Sequence, residues 1–467
     1  MAKLSEEGKK LTQLTAISPL DGRYRSQAEV LSPYASEEAL IRARMEVEGR
    51  YLVALSEIGL VRTLSEEEHE KLINIGENLT SEEVGRVKEI EETTLHDAKA
   101  VERAFREKVV GTSLEDVIEM IHFGLTSEDV NNLAQRLMLD RAKKEVIVPS
   151  LQTIIDVLRE EADKYKSLPI LARTHGQPAV PTTYGKELVV FAVRLHRQTK
   201  KLKHAELTGK LNGAVGNFNA HTLSVPDIDW VEFSKKFVGS LGLTPMLYTT
   251  QINQYEDIIE NFQALQLVNG VLLDLDQDMW RYISDNWLTQ EVRVGQVGSS
   301  TMPQKVNPID FENSEGNVTM ANGLLEAMGR KLQTSRLQRD LSGSTILRNI
   351  GSALGYSLLA IESSLTGLKK VHPNPDEMQK YLDSNWSVLS EGAQTVLRLA
   401  DVEDPYSLTA EFVKGQKIDA QSWKEWIGNL SVSDSVKEQL LDLTPEKYVG
   451  YAEKLTEMAI EEMRSGR

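Results

Sequence analysis

The sequence predicts an all-α protein of three domains organised around long helices, and three observations carry that prediction. Apolar residues recur at three- and four-residue steps through Leu151, Ile154, Ile155, Leu158, Ala162 and Tyr165, through Met320, Leu324, Leu325, Met328 and Leu332, and through Ile350, Leu354, Leu358 and Ile361. That is the spacing of one helical face. Runs of alternating polar and apolar residues, the mark of half-buried strands, are scarce. Between Ile258 and Ile283, the residues Phe262, Leu265, Leu267, Val268, Val271, Leu272, Leu273 and Leu275 cover far more than one stripe, so this helix must be buried nearly all round. A single-chain bundle meets that need, and so does an oligomer core in which copies of the helix pack together; the expectation is an oligomer.

Punctuation along the chain sets the domain limits. Gly111-Thr112-Ser113 and His372-Pro373-Asn374-Pro375 interrupt the periodic segments, giving parts near 1–115, 116–370 and 371–467. A chain of 467 residues exceeds one ordinary domain, in line with that division. Within the first part, Thr93, Thr94, His96, Asp97 and Lys99 form a polar cluster. Next comes His122 with Thr126-Ser127-Glu128-Asp129, where the two hydroxyls either cap the helix that follows or hold an anion at its N-terminus.

Arg173-Thr174-His175-Gly176-Gln177-Pro178 places a histidine among Pro and Gly, on a loop at the mouth of helices. There it is either bonded to backbone or able to exchange a proton near neutral pH. The segment GQVGSSTMPQKVNP, residues 295–308, reads as a mobile loop, either a solvated surface or an active-site lid. It feeds a helix that starts at Asn307-Pro308, with Asp310 and Glu312 at the positive end. Finally, Arg336, Arg339 and Arg348 bracket Ser342, Gly343, Ser344 and Thr345, offering guanidinium forks for carboxylate or phosphate.

Composition narrows the function. Charged residues at 26% and hydrophobic residues at 40% describe a globular chain. The net charge of −17 disfavours nucleic acid, although a few focused cations still admit small anions. With no cysteine, thiolate chemistry and disulfides are excluded. The first residues, MAKLSEEGKKLTQLT, lack the apolar core of a secretory signal, and Phe262–Leu275 is too short and polar to span a bilayer, so a cytoplasmic protein without membrane partners is expected. A Walker loop, a dinucleotide fingerprint, an HExxH run and a GxSxG elbow are all missing.

Residues 298–308, GSSTMPQKVNP, match the signature loop GSSxMPxKxNP, and on it the chain resembles the fumarase/aspartase superfamily. ISPLDGRY, TTLHDAKAVE, IHFGLTSEDVNN, RTHGQPAVPTTYGKE, KLNGAVGNFNAH, and DFENSEGN with SRLQRDLSGSTILRN are similar, in order, to the bacterial branch that releases fumarate from succinyl-purine nucleotides. That resemblance implies a three-domain helical fold, a homotetramer cored by the central helices, and active sites each built from three subunits. It implies cleavage of adenylosuccinate to AMP and of SAICAR to AICAR, with no metal and no organic cofactor. By the same resemblance Ser299 is the general base and His175 the general acid. Arg23, Tyr24, His96, Asp97, Thr126, Ser127, Gln251, Ser300, Lys305, Asn307, Asn313, Arg339, Ser344, Thr345 and Arg348 hold substrate, and Lys305 is also the candidate for drawing off the serine proton. Two positions depart from the pattern. Gln304 stands where many members of that branch have His and makes the MPQK run usual in argininosuccinate lyases, and Leu95 replaces a polar Asn before His96-Asp97. An argininosuccinate-cleaving enzyme and a non-catalytic scaffold on the same fold remain the alternatives.

Overall fold

The computed structural model describes residues 12–291, 302 and 304–465, and these are mostly helical, as the periodicity predicts. Among the described residues, strands are confined to three two-stranded ribbons, and no helix is long and apolar enough to cross a membrane. The chain divides into two compact units, one comprising 1–150, 198–269 and 317–360, the other 151–197, 270–316 and 361–467. The long helices Glu256–Ser284, Ile309–Leu332 and Ile350–Leu368 each contribute residues to both.

In the first unit the helix Glu37–Glu57 opens on Ser36, whose hydroxyl accepts the Ala39 N–H at 3.1 Å, with Glu37 and Glu38 in the first turn. Cap and dipole therefore agree on the start. Ile41, Met45, Leu52 and Leu55 are buried along it, and so are Arg44, Glu46 and Glu48, which need partners because an unpaired buried charge is costly. Gly49 is required by close approach: a Cβ there would lie 2.2 Å from the Leu72 carbonyl oxygen of the neighbouring helix Glu66–Ile73.

Two buried ion pairs fix the helix Ser127–Ala142. Arg136, fully buried, donates through Nε and Nη2 to the two oxygens of Asp257, both at 2.7 Å. Asp257 also accepts the Thr208 N–H at 2.8 Å and its hydroxyl at 3.0 Å. One turn into the same helix, Asp129 meets Lys210 at 2.8 Å with both side chains at 0% exposure. The Asp129 carboxylate further accepts the backbone N–H groups of Thr126, Asn212 and Gly213 at 2.9, 3.0 and 3.1 Å. A buried pair with its remaining hydrogen-bond positions filled holds geometry well, and breaking it from one side is expensive.

The helix Glu256–Ser284 buries Phe262, Leu265, Val268, Leu272 and Leu275. It is not covered all round within one chain, however: Leu267 is 55% exposed and Trp280 42%.

The second unit holds the antiparallel ribbon of Pro169–Thr174 with Gln177–Thr183 and a C-terminal core in which Leu389, Leu397, Trp423, Ile427 and Leu440 are buried. Phe412 stacks on Trp426 there, with centroids 4.6 Å apart. Asp276 is almost wholly buried, hydrogen-bonded to the Ser364 hydroxyl, which also reaches Ser314 at 2.9 Å. Burial pushes this carboxyl up to about 8, because the ionised form has lost its water.

Lys210→Met leaves Asp129 charged and buried, and is expected to cost about 3–5 kcal/mol, read as a lower urea midpoint at neutral pH. Asp276 carries a second prediction. It ionises near 3.9 in an unfolded chain but only near about 8 in the folded one, so its contribution to stability is lost as pH rises through that window. Asp276→Asn should match the parent protein in urea near about pH 4 and resist urea better above about pH 8; equal midpoints across the range would contradict the assignment.

Candidate active site

Three of the polar clusters meet in the first unit. Thr126 is the cap position of Ser127–Ala142, and its N–H donates to Asp129 at 2.9 Å. The Ser127 hydroxyl faces Arg339 instead, accepting from Nη1 at 3.2 Å. The same Nη1 donates to Gln251 Oε1 at 3.3 Å, while the Gln251 amide N–H holds the Ala214 carbonyl at 3.1 Å and so fixes which face of the amide Arg339 sees. Nη2 of Arg339 pairs with Glu128 Oε1 at 2.9 Å. The expected residues Ser127, Gln251 and Arg339 are thus one hydrogen-bonded group beside a helix N-terminus, with Thr126 next to Ser127 at the cap, an arrangement suited to an anion.

A second line of contacts reaches the His96-Asp97 cluster. Asn131 donates to Glu128 Oε1 at 3.0 Å and accepts from Arg44 Nε at 2.8 Å; Arg44 Nη2 pairs with Asp97 at 2.6 Å. Burial works against the Asp97 charge, but the Arg44 guanidinium holds its carboxyl below the ordinary range. His96 caps the helix Asp97–Val109, its Nδ1 accepting the Lys99 N–H at 3.2 Å. His122, held at φ 63°, touches Glu48 at 2.5 Å. Burial lowers its proton affinity, but the surrounding carboxylates, Glu48 foremost with Glu102 and Asp129, raise it, and the net pKa is raised.

Arg23 is exposed and Tyr24 half-buried at the start of the helix Arg25–Ala28. Ser344 donates to the Leu341 carbonyl at 2.9 Å, and Thr345 and Arg348 are exposed. Arg348 lines a cavity of about 300 Å³ together with Asp21, Arg25 and Ser32. Arg336, the other cation of its cluster, is taken by Asp340 at 3.1 Å.

In the second unit His175 and Gly176 form the two-residue turn of the ribbon, at φ 53° and 75°. Positive φ at both central residues is what a tight hairpin of this kind demands; glycine adopts it freely, and histidine is among the side chains that tolerate it. The histidine therefore sits exposed on a hairpin tip, not on the interhelical loop that its Pro and Gly neighbours suggest. Arg173, one residue before the pair that closes the turn, anchors the hairpin near its tip, paired with Asp285 at 2.7 Å and lying 4.9 Å from the Trp287 ring centroid. Lys305 is exposed and Asn307 half-buried just before the helix Ile309–Leu332, which starts where Asn307-Pro308 predicts. Asn313 donates to Ser363 at 2.8 Å. Ser299 and Ser300 lie outside the described residues. Among the described residues, no group of three or more His, Asp or Glu side chains has the arrangement of a metal site.

Comparison with known proteins identifies the family. Residues 22–323 match the family described as Lyase, and residues 335–449 the one described as Adenylosuccinate lyase C-terminal. The adenylosuccinate lyase of Haemophilus influenzae is 46% identical over 451 residues, covering 96% of this chain and 99% of that protein. The chain belongs to the adenylosuccinate lyase family. The Escherichia coli K12 member is 44% identical over 95% of this chain and 98% of its own, and that of Dictyostelium discoideum 46% identical over 94% and 97%. The fold is shared with more distant proteins: 3-carboxy-cis,cis-muconate lactonizing enzyme from Pseudomonas putida superposes with a TM-score of 0.75 at 21% identity, over 94% of this chain and 97% of that one. Fumarate lyase from Mesorhizobium sp. BNC1 gives 0.74 at 16%, over 93% and 97%.

Sequence reasoning did not single out Arg44, Glu48 or Asn131, nor Glu128 as more than a neighbour of Ser127. The available signal was charge inside an apolar helical face, since Arg44, Glu46 and Glu48 interrupt the buried run from Ile41 to Leu55. Leu95 has a structural reading as well: it ends the helix Ser81–Thr94 in the left-handed region, φ 51°, and is 88% exposed. Asn suits that backbone better than a bulky side chain does. Leu95→Asn is expected to raise stability by up to about 1 kcal/mol, seen as a higher urea midpoint, and a lower midpoint would refute the backbone explanation.

Proposed function

We infer that the chain releases fumarate from adenylosuccinate, leaving AMP, and from SAICAR, leaving AICAR, by β-elimination. The observation that carries this reading is the similarity, over nearly the whole chain, to proteins named adenylosuccinate lyase. The group around Arg339 supports it by supplying a guanidinium, hydroxyls and a helix N-terminus to an anionic substrate.

The chemistry sets the requirements. Ser299 takes the proton from the carbon next to a succinyl carboxylate, charge builds on that carboxylate, the C–N bond breaks, and His175 gives a proton to the departing nitrogen. Removing a proton beside an anionic group demands donors and cations aimed in advance at the developing charge. Lys305, six residues after Ser299, supplies positive charge that favours the serine alkoxide. The tight turn supports the role of His175 by holding the imidazole out on a short, conformationally restricted tip. Substrate contacts are assigned to Arg23, Tyr24, His96, Asp97, Thr126, Ser127, Gln251, Ser300, Asn307, Asn313, Ser344, Thr345 and Arg348 alongside Arg339.

The working form is a cytoplasmic homotetramer whose sites combine subunits. The uncovered Leu267 and Trp280 on a long helix support it, as does Met320, 50% exposed. Neither metal nor organic cofactor takes part.

The test follows fumarate release by ultraviolet absorbance from adenylosuccinate and argininosuccinate in parallel. Turnover of adenylosuccinate alone is expected, and Ser299→Ala and His175→Ala should each lower kcat by about 10²–10⁴-fold. Turnover of argininosuccinate alone would mean that MPQK outweighs the other motifs, and full activity in Ser299→Ala would remove the serine from its role.

A further inference from the structure

We propose that Glu128 is a positioning residue, which with Asn131 and Arg44 forms a buried strut that aims Arg339 at one end and Asp97 at the other. The proposal rests on the reading of Arg339 as a substrate-binding residue.

Glu128 lies on the first turn of Ser127–Ala142 and its side chain is 6% exposed. One oxygen, Oε1, takes both Arg339 Nη2 at 2.9 Å and Asn131 Nδ2 at 3.0 Å. The amide of Asn131 is thereby oriented so that its oxygen accepts from Arg44 Nε at 2.8 Å. Arg44 is itself buried and closes on Asp97 at 2.6 Å. Two carboxylates and two guanidinium groups alternate around one amide, so the chain of contacts is neutral overall and every contact in it is assisted by charge. A buried neutral string of this kind resists rearrangement, since moving one member strands its neighbours in a medium that solvates them poorly.

The consequence falls on Arg339. Its guanidinium is a planar fork whose usefulness depends on its plane, and here the plane is set by three acceptors, Glu128, Ser127 and Gln251. Of these only Glu128 is buried and charged. Without it, Arg339 keeps two neutral contacts from a single nitrogen, at 3.2 and 3.3 Å, at the long and weak end of the hydrogen-bond range. Glu128 thus acts on substrate through Arg339, by geometry and not by contact, and its carboxylate also offsets the charge that Arg339 presents.

The experiment compares Glu128→Ala with Glu128→Gln in the full-length protein, because glutamine retains an oxygen able to accept from both Asn131 and Arg339. Glu128→Ala should raise KM for adenylosuccinate by about tenfold or more while kcat falls much less, the pattern of lost binding in ground and transition states alike. Glu128→Gln should return KM to within about threefold of the parent. In a ligand-free crystal structure of Glu128→Ala, the Arg339 guanidinium should have left Ser127 and Gln251. An unchanged KM in Glu128→Ala, an equal defect in Glu128→Gln, or an undisturbed Arg339 in the crystal would each overturn the strut. If the parent protein does not turn over adenylosuccinate, the activity reading fails, and the crystal structure of Glu128→Ala alone decides whether Arg339 is positioned in this way.

Discussion

The geometry of the first unit hangs on the carboxylate of Asp129. It is fully buried, yet it gathers the Lys210 ammonium and the backbone N–H groups of Thr126, Asn212 and Gly213. A charge moved out of water demands compensation from every side, and here the groups that compensate come from two remote parts of the chain. Fixing Asp129 therefore fixes both the start of the helix Ser127–Ala142 and the turn after Lys210. Ser127 and Glu128 face Arg339 because that helix start is fixed. The bidentate pair of Arg136 with Asp257 secures the same helix two turns further on, so its direction as well as its origin is determined.

How much of this was legible depended on the range of the interactions. Periodicity located the long helices, and Asn307-Pro308 with two acids located the start of Ile309–Leu332, because both are local effects. The ribbon bearing His175 was not legible: its strands are six and seven residues long and rich in proline, too short for alternation to register. Periodicity also says which face of a helix is inside without saying what polar group arrives there. Arg44 meets Asn131 from 87 residues away and Asp97 from 53, and nothing near Arg44 in sequence announces either. Leu95 shows a different limit. Its departure from the family pattern reads as a missing polar contact, whereas the fold makes it a matter of backbone conformation.

Both units place ionisable groups inside, but they manage them differently. Asp97 and Asp257 are kept charged by guanidinium partners that outweigh burial. Asp276 has hydroxyl neighbours instead, and its proton stays on well into the neutral range. Hydrogen bonds from serine soften the cost of burial without cancelling it, so the identity of the nearest partner decides the charge state more than depth does.

The span between Ser127 and Arg339, 212 residues, gives the polar cluster a history during synthesis. At roughly 5–20 residues per second, the ribosome takes roughly 10 to 40 seconds to deliver Arg339 after Ser127 has been made. Throughout that interval Glu128 and Asn131 can meet Arg44, already synthesised, but have no cation at their other end. The group around Glu128 is thus electrostatically incomplete until the distant arginine arrives.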